Sequence, residues 1–156
     1  MNAAFTLGRI LLVVIFIVSG AQKLTDVAGT ADQIQSKLVI PPALADVSSQ
    51  IEATVGMPIW QVLAIFVAVV EVLGGLLIAF NVFTRTVALV MLIFTAVTVF
   101  YLHDFWNMPA GPERANSMMH ALKNLSIMGA FLMLAAWPRR TVLVEGPPGH
   151  DRLEPL

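Results

Sequence analysis

Residues 59–80 read IWQVLAIFVAVVEVLGGLLIAF, an apolar run of membrane-spanning length that contains one charged residue, Glu71. A helix needs about 20 apolar residues to cross roughly 30 Å of hydrocarbon. Similar runs occupy residues 3–21, 87–102 and 118–137. The sequence therefore predicts an all-α fold, in which a bundle of four transmembrane helices forms a single membrane domain at residues 1–137.

The composition excludes several classes of protein. Hydrophobic residues make up 58% of the chain and charged residues 12%, well away from the averages of soluble domains. The formal net charge of −1 provides no basic surface for phosphate neutralisation, so nucleic acid is excluded as a partner. There is no cysteine, so this chain forms no disulfide and cannot perform thiol chemistry by itself.

The distribution of charge in the loops predicts the orientation in the membrane. With four spans, both termini and the turn at residues 81–86 share one side. Arginines lie near the helix ends on that side: Arg9, Arg85, Arg139 and Arg140. The positive-inside rule then predicts a multi-pass protein of the inner (plasma) membrane, with both termini in the cytoplasm and the two longer loops outside. Residues 138–156 are expected to form a cytoplasmic polar tail that is poorly ordered, because Pro147-Pro148-Gly149 breaks regular structure.

The long outer connection contains two weakly amphipathic segments. In the first, residues 30–38, Ile34 and Leu38 lie four positions apart among polar residues. The second, residues 44–55, has the same pattern, and Pro41-Pro42 separates the two. This spacing predicts two short helices that lie on the membrane surface or cap the bundle.

Two opposite charges fall inside predicted spans, where an ionised side chain is costly. At about 1.5 Å per residue, Arg9 lies about 20 Å below the outer end of the first helix and Glu71 about 18 Å below that of the second. Because the two helices run antiparallel, we expect Arg9 and Glu71 to form a buried ion pair. The pair has two interpretations: it fixes the helix register, or its carboxylate marks a proton-linked or ligand-binding site.

Two groups of polar residues share the spacing i, i+3 and i+4, which places each group on one helix face. They are Ser19, Gln22 and Lys23 in the first helix, and His120, Lys123 and Asn124 in the fourth. Both groups fall in the outer part of the membrane, so we predict that they line a polar, outward-opening ligand pocket. The alternative is that both lysines snorkel to the lipid head groups while His120 caps a helix.

Metal binding and nucleophilic catalysis have weaker support. His103, His120, Asp104 and Glu113 lack any diagnostic ligand spacing, so no metal is predicted. No serine lies on a nucleophile elbow beside a base, and the catalytic residues therefore stay unassigned.

Short motifs at the helix ends occur in the order typical of a known family. They are Gly8-Arg9, Ser19 to Leu24, Gly29-Thr30, Pro41-Pro42, Glu71 to Gly75, Thr84-Arg85 and His120 to Leu125. Over about residues 5–137 the chain resembles the DoxX/DoxD superfamily of small four-helix membrane proteins. Residues 46–57 read as an insertion relative to that pattern, and Asn81 stands where glycine is common.

The resemblance implies an association with quinone-coupled sulfur oxidation, membrane oxidoreductase complexes or redox stress responses. The leading hypothesis is an accessory subunit that is not catalytic alone. It would bind a quinone or a lipid between its helices, in contact with the bilayer and with other membrane protein subunits. One alternative is a quinone-linked oxidoreductase in which His120 transfers the proton. The other is a structural scaffold for a larger assembly.

Overall fold

A computed structural model of the chain describes residues 3–137, 141–144 and 152–155. Four long helices and two short ones make up most of this described part. They are α1 (Ala3–Thr25), α2 (Val27–Lys37), α3 (Ala45–Val55), α4 (Ile59–Ala79), α5 (Thr84–Leu102) and α6 (Pro112–Ala136). The long helices α1, α4, α5 and α6 have the length and apolar composition needed to span a membrane. The predicted all-α fold is confirmed, as are the two short helices between the first and second spans.

The four long helices pack around one apolar core. Helix α4 contacts α1 and α5, and α5 in turn contacts α6. Aromatic pairs link α6 to α1: the ring centroids of Phe16 and Phe131 lie 5.5 Å apart, and those of Phe5 and Trp137 lie 4.5 Å apart. The bundle therefore has two distinct ends. The terminus end contains the start of α1 and the α4–α5 turn, whereas the loop end contains α2, α3 and the α5–α6 connection.

Small residues set the register of α1 against α4. A Cβ atom on Gly20 would lie 2.7 Å from the carbonyl oxygen of Ala68, and one on Gly75 would lie 2.7 Å from the Ile17 side chain. The two backbones approach this closely because glycine has no side chain, as is common between membrane helices. The contact places Gly20 level with residues 68–72 of α4.

The α4–α5 turn at the terminus end depends on Asn81. Asn81 has φ 62° and Phe83 has φ 46°, both in the left-handed region. Asparagine is one of the few residues that enters this region readily, so it can replace the glycine typical of such turns. The Asn81 side chain also accepts a hydrogen bond from the Thr84 hydroxyl at 3.0 Å.

The short helices are held by side-chain caps. The Asp26 carboxylate accepts a hydrogen bond from the backbone N–H of Gly29 and so caps α2. Glu52 of α3 accepts from the backbone N–H of Ile59 at 2.7 Å, and this contact links α3 to the start of α4. Ala31 and Ile34 of α2 pack on Ala64 of α4, so α2 lies against the loop end of the bundle.

The C-terminal segment contains a short antiparallel strand pair. Strand β1 (Thr141–Val144) pairs with β2 (Arg152–Pro155), with Thr141 opposite Pro155. The rest of the predicted tail, including Arg139, Arg140 and Pro147 to Gly149, lies outside the described residues. The order and the cytoplasmic position of the tail stay predictions.

Candidate functional site

Glu71 and Arg9 have different partners, and the predicted Arg9–Glu71 ion pair is wrong. Arg9 is 2% exposed, and its guanidinium Nη1 donates to the carbonyl oxygen of Ile78 at 3.2 Å and to the Asn81 side chain. Glu71 is 5% exposed and binds Lys23, with 2.7 Å between Lys23 Nζ and Glu71 Oε2. The sequence correctly placed both charges in the bundle but paired the carboxylate with the wrong cation.

The error came from the register between α1 and α4. Counting the depths of Arg9 and Glu71 from the outer ends of the first and second helices assumed that these two ends are level. In the structure, Gly20 lies level with Glu71, so α4 extends past the end of α1. The additional length of α4 packs against α2. This offset moves Glu71 away from Arg9 and towards Lys23.

The direction of the Lys23 side chain follows from helix geometry. Side chains lean towards the N-terminus of their own helix. In α1 that direction points into the bundle, so Lys23 reaches back by one turn and donates to the Ser19 hydroxyl at 2.6 Å. The same ammonium contacts both Glu71 carboxylate oxygens, at 3.0 and 2.7 Å. This geometry contradicts the alternative in which Lys23 snorkels outward to the lipid head groups.

A polar cavity of about 460 Å³ lies between the helices at the loop end. Four of the six predicted ligand-binding residues line it: Ser19, Lys23, His120 and Lys123. The other two, Gln22 and Asn124, are not among its described lining residues; Gln22 is exposed and Asn124 is partly buried. The i, i+3, i+4 spacing thus indicated two helix faces that border this cavity, and each predicted group includes one residue that does not line it. Ligand binding by these residues stays a prediction.

Part of the cavity wall was missed by sequence reasoning, namely the residues that α2 contributes: Gln33, Ser36 and Lys37. Glu71 of α4 also lines the cavity, and a ligand-binding site was one of the two interpretations that the sequence left open for its carboxylate. Lys37 also forms a salt bridge with Asp104 at 3.3 Å, which ties α2 to the residues that follow α5. The polar face of α2 was visible in the sequence, but nothing indicated that this face would turn towards the bundle.

Two histidines lie together on the wall formed by α5 and α6. The rings of His103 and His120 stack with centroids 5.1 Å apart and an angle of 9° between their planes. Lys123 Nζ lies 3.2 Å from His120 Nδ1. An ammonium group can only donate, so Nδ1 accepts and the neutral ring carries its proton on Nε2. His120 therefore remains a hydrogen-bond donor through Nε2.

The histidines do not belong to a recognisable metal centre. Across the described residues, no three histidine or carboxylate side chains gather in a way that could hold a metal ion. The rings of His103 and His120 are also nearly parallel. Because a ring nitrogen binds a metal ion in the plane of its ring, two parallel rings do not aim their nitrogens at one shared ion. Asp104 instead binds Lys37.

An apolar groove adjoins the polar cavity. The groove has a volume of about 110 Å³ and lies between α2, α4 and α5. Val67, Thr98 and Leu102 line both spaces, so they share a wall. The polar cavity and the apolar groove therefore adjoin each other at the loop end of the bundle.

Comparison with known proteins identifies the family of this four-helix bundle. The DoxX family model matches residues 4–104. The chain belongs to the DoxX family. It is 33% identical to the inner membrane protein YphA of Escherichia coli K12 over an alignment of 129 residues. This alignment covers 83% of this chain and 79% of YphA. It is 35% identical to the inner membrane protein YqjF of the same organism over 127 residues, an alignment that covers 81% of this chain and 78% of YqjF.

No solved structure matches this DoxX-family chain. The relatives and the four spanning helices establish it as a multi-pass inner-membrane protein. The DoxX match contains the α1, α4 and α5 walls of the cavity, with Lys23, Glu71 and His103, and ends at residue 104. His120 and Lys123 of α6 lie beyond it.

Proposed function

We propose that this DoxX-family protein is an accessory subunit of a respiratory or redox membrane complex, and that it binds an amphiphilic ligand, a quinone or a lipid, at the loop end of its bundle. The polar cavity holds the head group and the adjoining groove holds the start of the tail. The redox association rests on the family resemblance. The binding role rests on the geometry of this chain.

The observation that carries the proposal is the wall shared by the cavity and the groove. The polar cavity is lined by charged and imidazole side chains, and the groove is lined by apolar ones. The wall between them consists of Val67, Thr98 and Leu102. A bilayer provides molecules with the same division, a polar head joined to an apolar tail. Sites for small molecules are usually concave and mostly apolar, with a few polar groups that fix orientation.

The hydrogen-bond donors fit both ligand classes. Lys123 and the Nε2–H of His120 can donate to a quinone carbonyl oxygen or to a lipid phosphate oxygen. A bound quinone would supply two-electron, two-proton chemistry. The chain's own residues bind and orient the head group. With no cysteine for thiol redox chemistry, the chain would rely on the quinone or on a partner subunit to carry electrons, which is the role of an accessory subunit.

We also propose the orientation predicted from the loop charges, in which both termini are cytoplasmic and the cavity faces the outer side. Arg85 at the start of α5 and Asp104 after its end lie at opposite ends of one spanning helix, and the positive-inside rule favours the arginine end as the cytoplasmic one. Labelling of single cysteines introduced at Val82 and Ser49 with a membrane-impermeant reagent in intact cells tests it, since both residues are exposed. We expect labelling at position 49 only, and labelling at position 82 instead would reverse the orientation.

Native mass spectrometry of the full chain, purified gently from its own membrane, tests the binding function. We expect an amphiphile to remain bound at one copy per chain and to be depleted in Lys123→Ala. The matched control is Arg114→Ala, which removes a positive charge from the same helix at an exposed position outside the cavity lining.

Each result separates the hypotheses. Depletion in Lys123→Ala but not in Arg114→Ala supports the cavity as the ligand site. A chain that carries no small molecule but retains protein partners in fixed ratio would contradict ligand binding and favour the scaffold hypothesis.

A further inference from the structure

The lining of the cavity has more lysines than ion-paired carboxylates. Three lysines are among its described lining residues, and two of them bind carboxylates: Lys23 binds Glu71 at 2.7 Å and Lys37 binds Asp104 at 3.3 Å. The third, Lys123, contacts the imidazole of His120 rather than a carboxylate within the described part of the chain. Because His120 accepts from the Lys123 ammonium and is neutral, the cavity keeps a positive charge that no carboxylate among the described residues balances, and that charge lies on Lys123.

The location of Lys123 makes this charge available to a ligand. Its ammonium leans towards the N-terminus of α6, in the direction of His120, and both residues line the cavity. One N–H of the ammonium points to His120 Nδ1, which leaves the others and the Nε2–H of His120 to donate elsewhere. These donors belong to the α6 wall of the cavity, whereas the neutralised Lys23–Glu71 pair belongs to the walls formed by α1 and α4.

A cavity wall with a net positive charge should bind charged acceptors, such as phosphate oxygens, more tightly than neutral acceptors, such as quinone carbonyl oxygens. Hydrogen bonds from a charged donor to a charged acceptor are roughly twice as strong as those between neutral groups. An anion would also neutralise a cation near the low-dielectric bilayer, where charge interactions are poorly screened. A neutral quinone carbonyl gains neither of these contributions, whereas the phosphate of an anionic lipid gains both. A zwitterionic lipid gains the hydrogen bond, but its own ammonium offsets the neutralisation.

We infer that the cavity selects a phosphate-bearing anionic lipid over a neutral quinone or a zwitterionic lipid. The phosphate binds Lys123 and His120, and an acyl chain follows the groove past Val67 and Leu102. The inference rests on the proposed function, since it names the ligand of the same site. Free phosphate carries the same head chemistry, but it leaves the apolar groove without a role.

The test is a lipid titration of the delipidated full chain in non-ionic detergent, read by native mass spectrometry. The probes are phosphatidylglycerol, phosphatidylcholine with the same acyl chains, and a neutral quinone with an isoprenoid tail. For the wild-type chain we expect phosphatidylglycerol to bind about tenfold more tightly than either other probe. The quinone lacks the charge-assisted hydrogen bond, and the choline ammonium of phosphatidylcholine cancels the net charge that would neutralise Lys123. We expect Lys123→Gln to abolish this preference and Arg114→Gln to keep it.

Lys123 and Arg114 are both exposed on α6, so neither substitution disturbs the core, and helix content by circular dichroism confirms the fold of each variant. A preference that survives Lys123→Gln would overturn the assignment and place Lys123 among ordinary snorkelling lysines. Displacement of the lipid by inorganic phosphate alone would overturn the lipid as the source of the phosphate. Equal binding of all three probes would overturn charge selection but leave amphiphile binding intact. Binding of none would contradict the proposed function itself.

Discussion

Two polar contacts connect α1 to α4 or to the turn that follows it. Both have a cation on α1 as the donor, but they differ in how exposed that cation is. At the terminus end, Arg9 of α1 donates to the carbonyl oxygen of Ile78 and to Asn81. Near the loop end, Lys23 of α1 donates to Glu71. Each contact joins a cation of the first span to acceptors of the second.

The surroundings separate the two roles. Arg9 is 2% exposed and its guanidinium lies over the Phe5 ring, 5.6 Å from the centroid. The Lys23 side chain is 24% exposed and lines the polar cavity. Arg9 also borders a space, an apolar cavity of about 360 Å³, but the Arg9 side chain is buried, so this closed contact holds the helices together. The open contact of Lys23 is accessible to a ligand in the polar cavity. A charge inside a membrane bundle is therefore assigned to structure or to function by the exposure of its side chain to the space beside it, in addition to its depth.

The largest expected effect is at the closed contact. Arg9→Ala removes the donor of two acceptors and the contact with the Phe5 ring, so we expect the free energy of unfolding to fall by about 3 kcal/mol or more. Unfolding in detergent, followed by tryptophan fluorescence, measures the change. Ligand retention in the folded fraction should be unaltered, and a variant that keeps its stability but loses its ligand would reverse the roles of the two contacts.

Helix packing between the two contacts comes next. Gly20→Ala places a Cβ 2.7 Å from a backbone oxygen of α4, which must push the helices apart, so we expect a loss of about 2 kcal/mol. Gly8→Ala is the matched control, because a Cβ there meets nothing within 4 Å on the same helix. The control should be neutral or slightly stabilising, since alanine favours helix over glycine. Equal thermal stability of the two variants would contradict the observed register.

The open contact should respond more weakly in stability and more strongly in binding. Glu71→Gln removes the carboxylate charge but keeps the shape of the side chain, and the exposed part of Lys23 can be solvated, so we expect a loss of about 1 kcal/mol. The cavity gains a net positive charge, so retention of an anionic lipid should increase in the same lipid titration. A large loss of stability with unchanged binding would make this contact structural, like that of Arg9.

The smallest effect concerns α2 as part of the cavity wall. Both partners of the Lys37–Asp104 bridge are partly exposed, so a double-mutant cycle with Lys37→Gln and Asp104→Asn should give a coupling energy of about 0.5 kcal/mol. High salt should reduce that coupling. A coupling of several kcal/mol would show that α2 is anchored mainly by this bridge instead of by Ala31 and Ile34.

The sequence predicted what depends on local pattern. Runs of apolar residues indicated four spans, and amphipathic spacing indicated two short helices, because hydropathy and periodicity are properties of each segment alone. The spacing of Ser19 with Lys23, and of His120 with Lys123, likewise found helix faces that the structure places on one cavity.

The relation between segments was the part that could not be read from the sequence. The partner of Glu71 depends on the sliding of α4 along α1, which Gly20 and Gly75 determine through backbone contact. The contribution of Lys37 depends on the packing of α2 against α4. One signal was available: a lysine near the C-terminal end of α1 leans towards the N-terminus of that helix, and so Lys23 reaches into the bundle rather than out of it.

Photo-crosslinking at the boundary between the cavity and the groove tests the central claim, that this boundary holds the head and tail of one amphiphile. A photoreactive residue replaces Thr98, which lines both spaces, or Ile93, which is 62% exposed on the same helix. After irradiation in the native membrane, the position 98 variant should carry one predominant amphiphile and the position 93 variant a mixture like the bulk lipid. The same mixture at both positions would contradict a specific binding site.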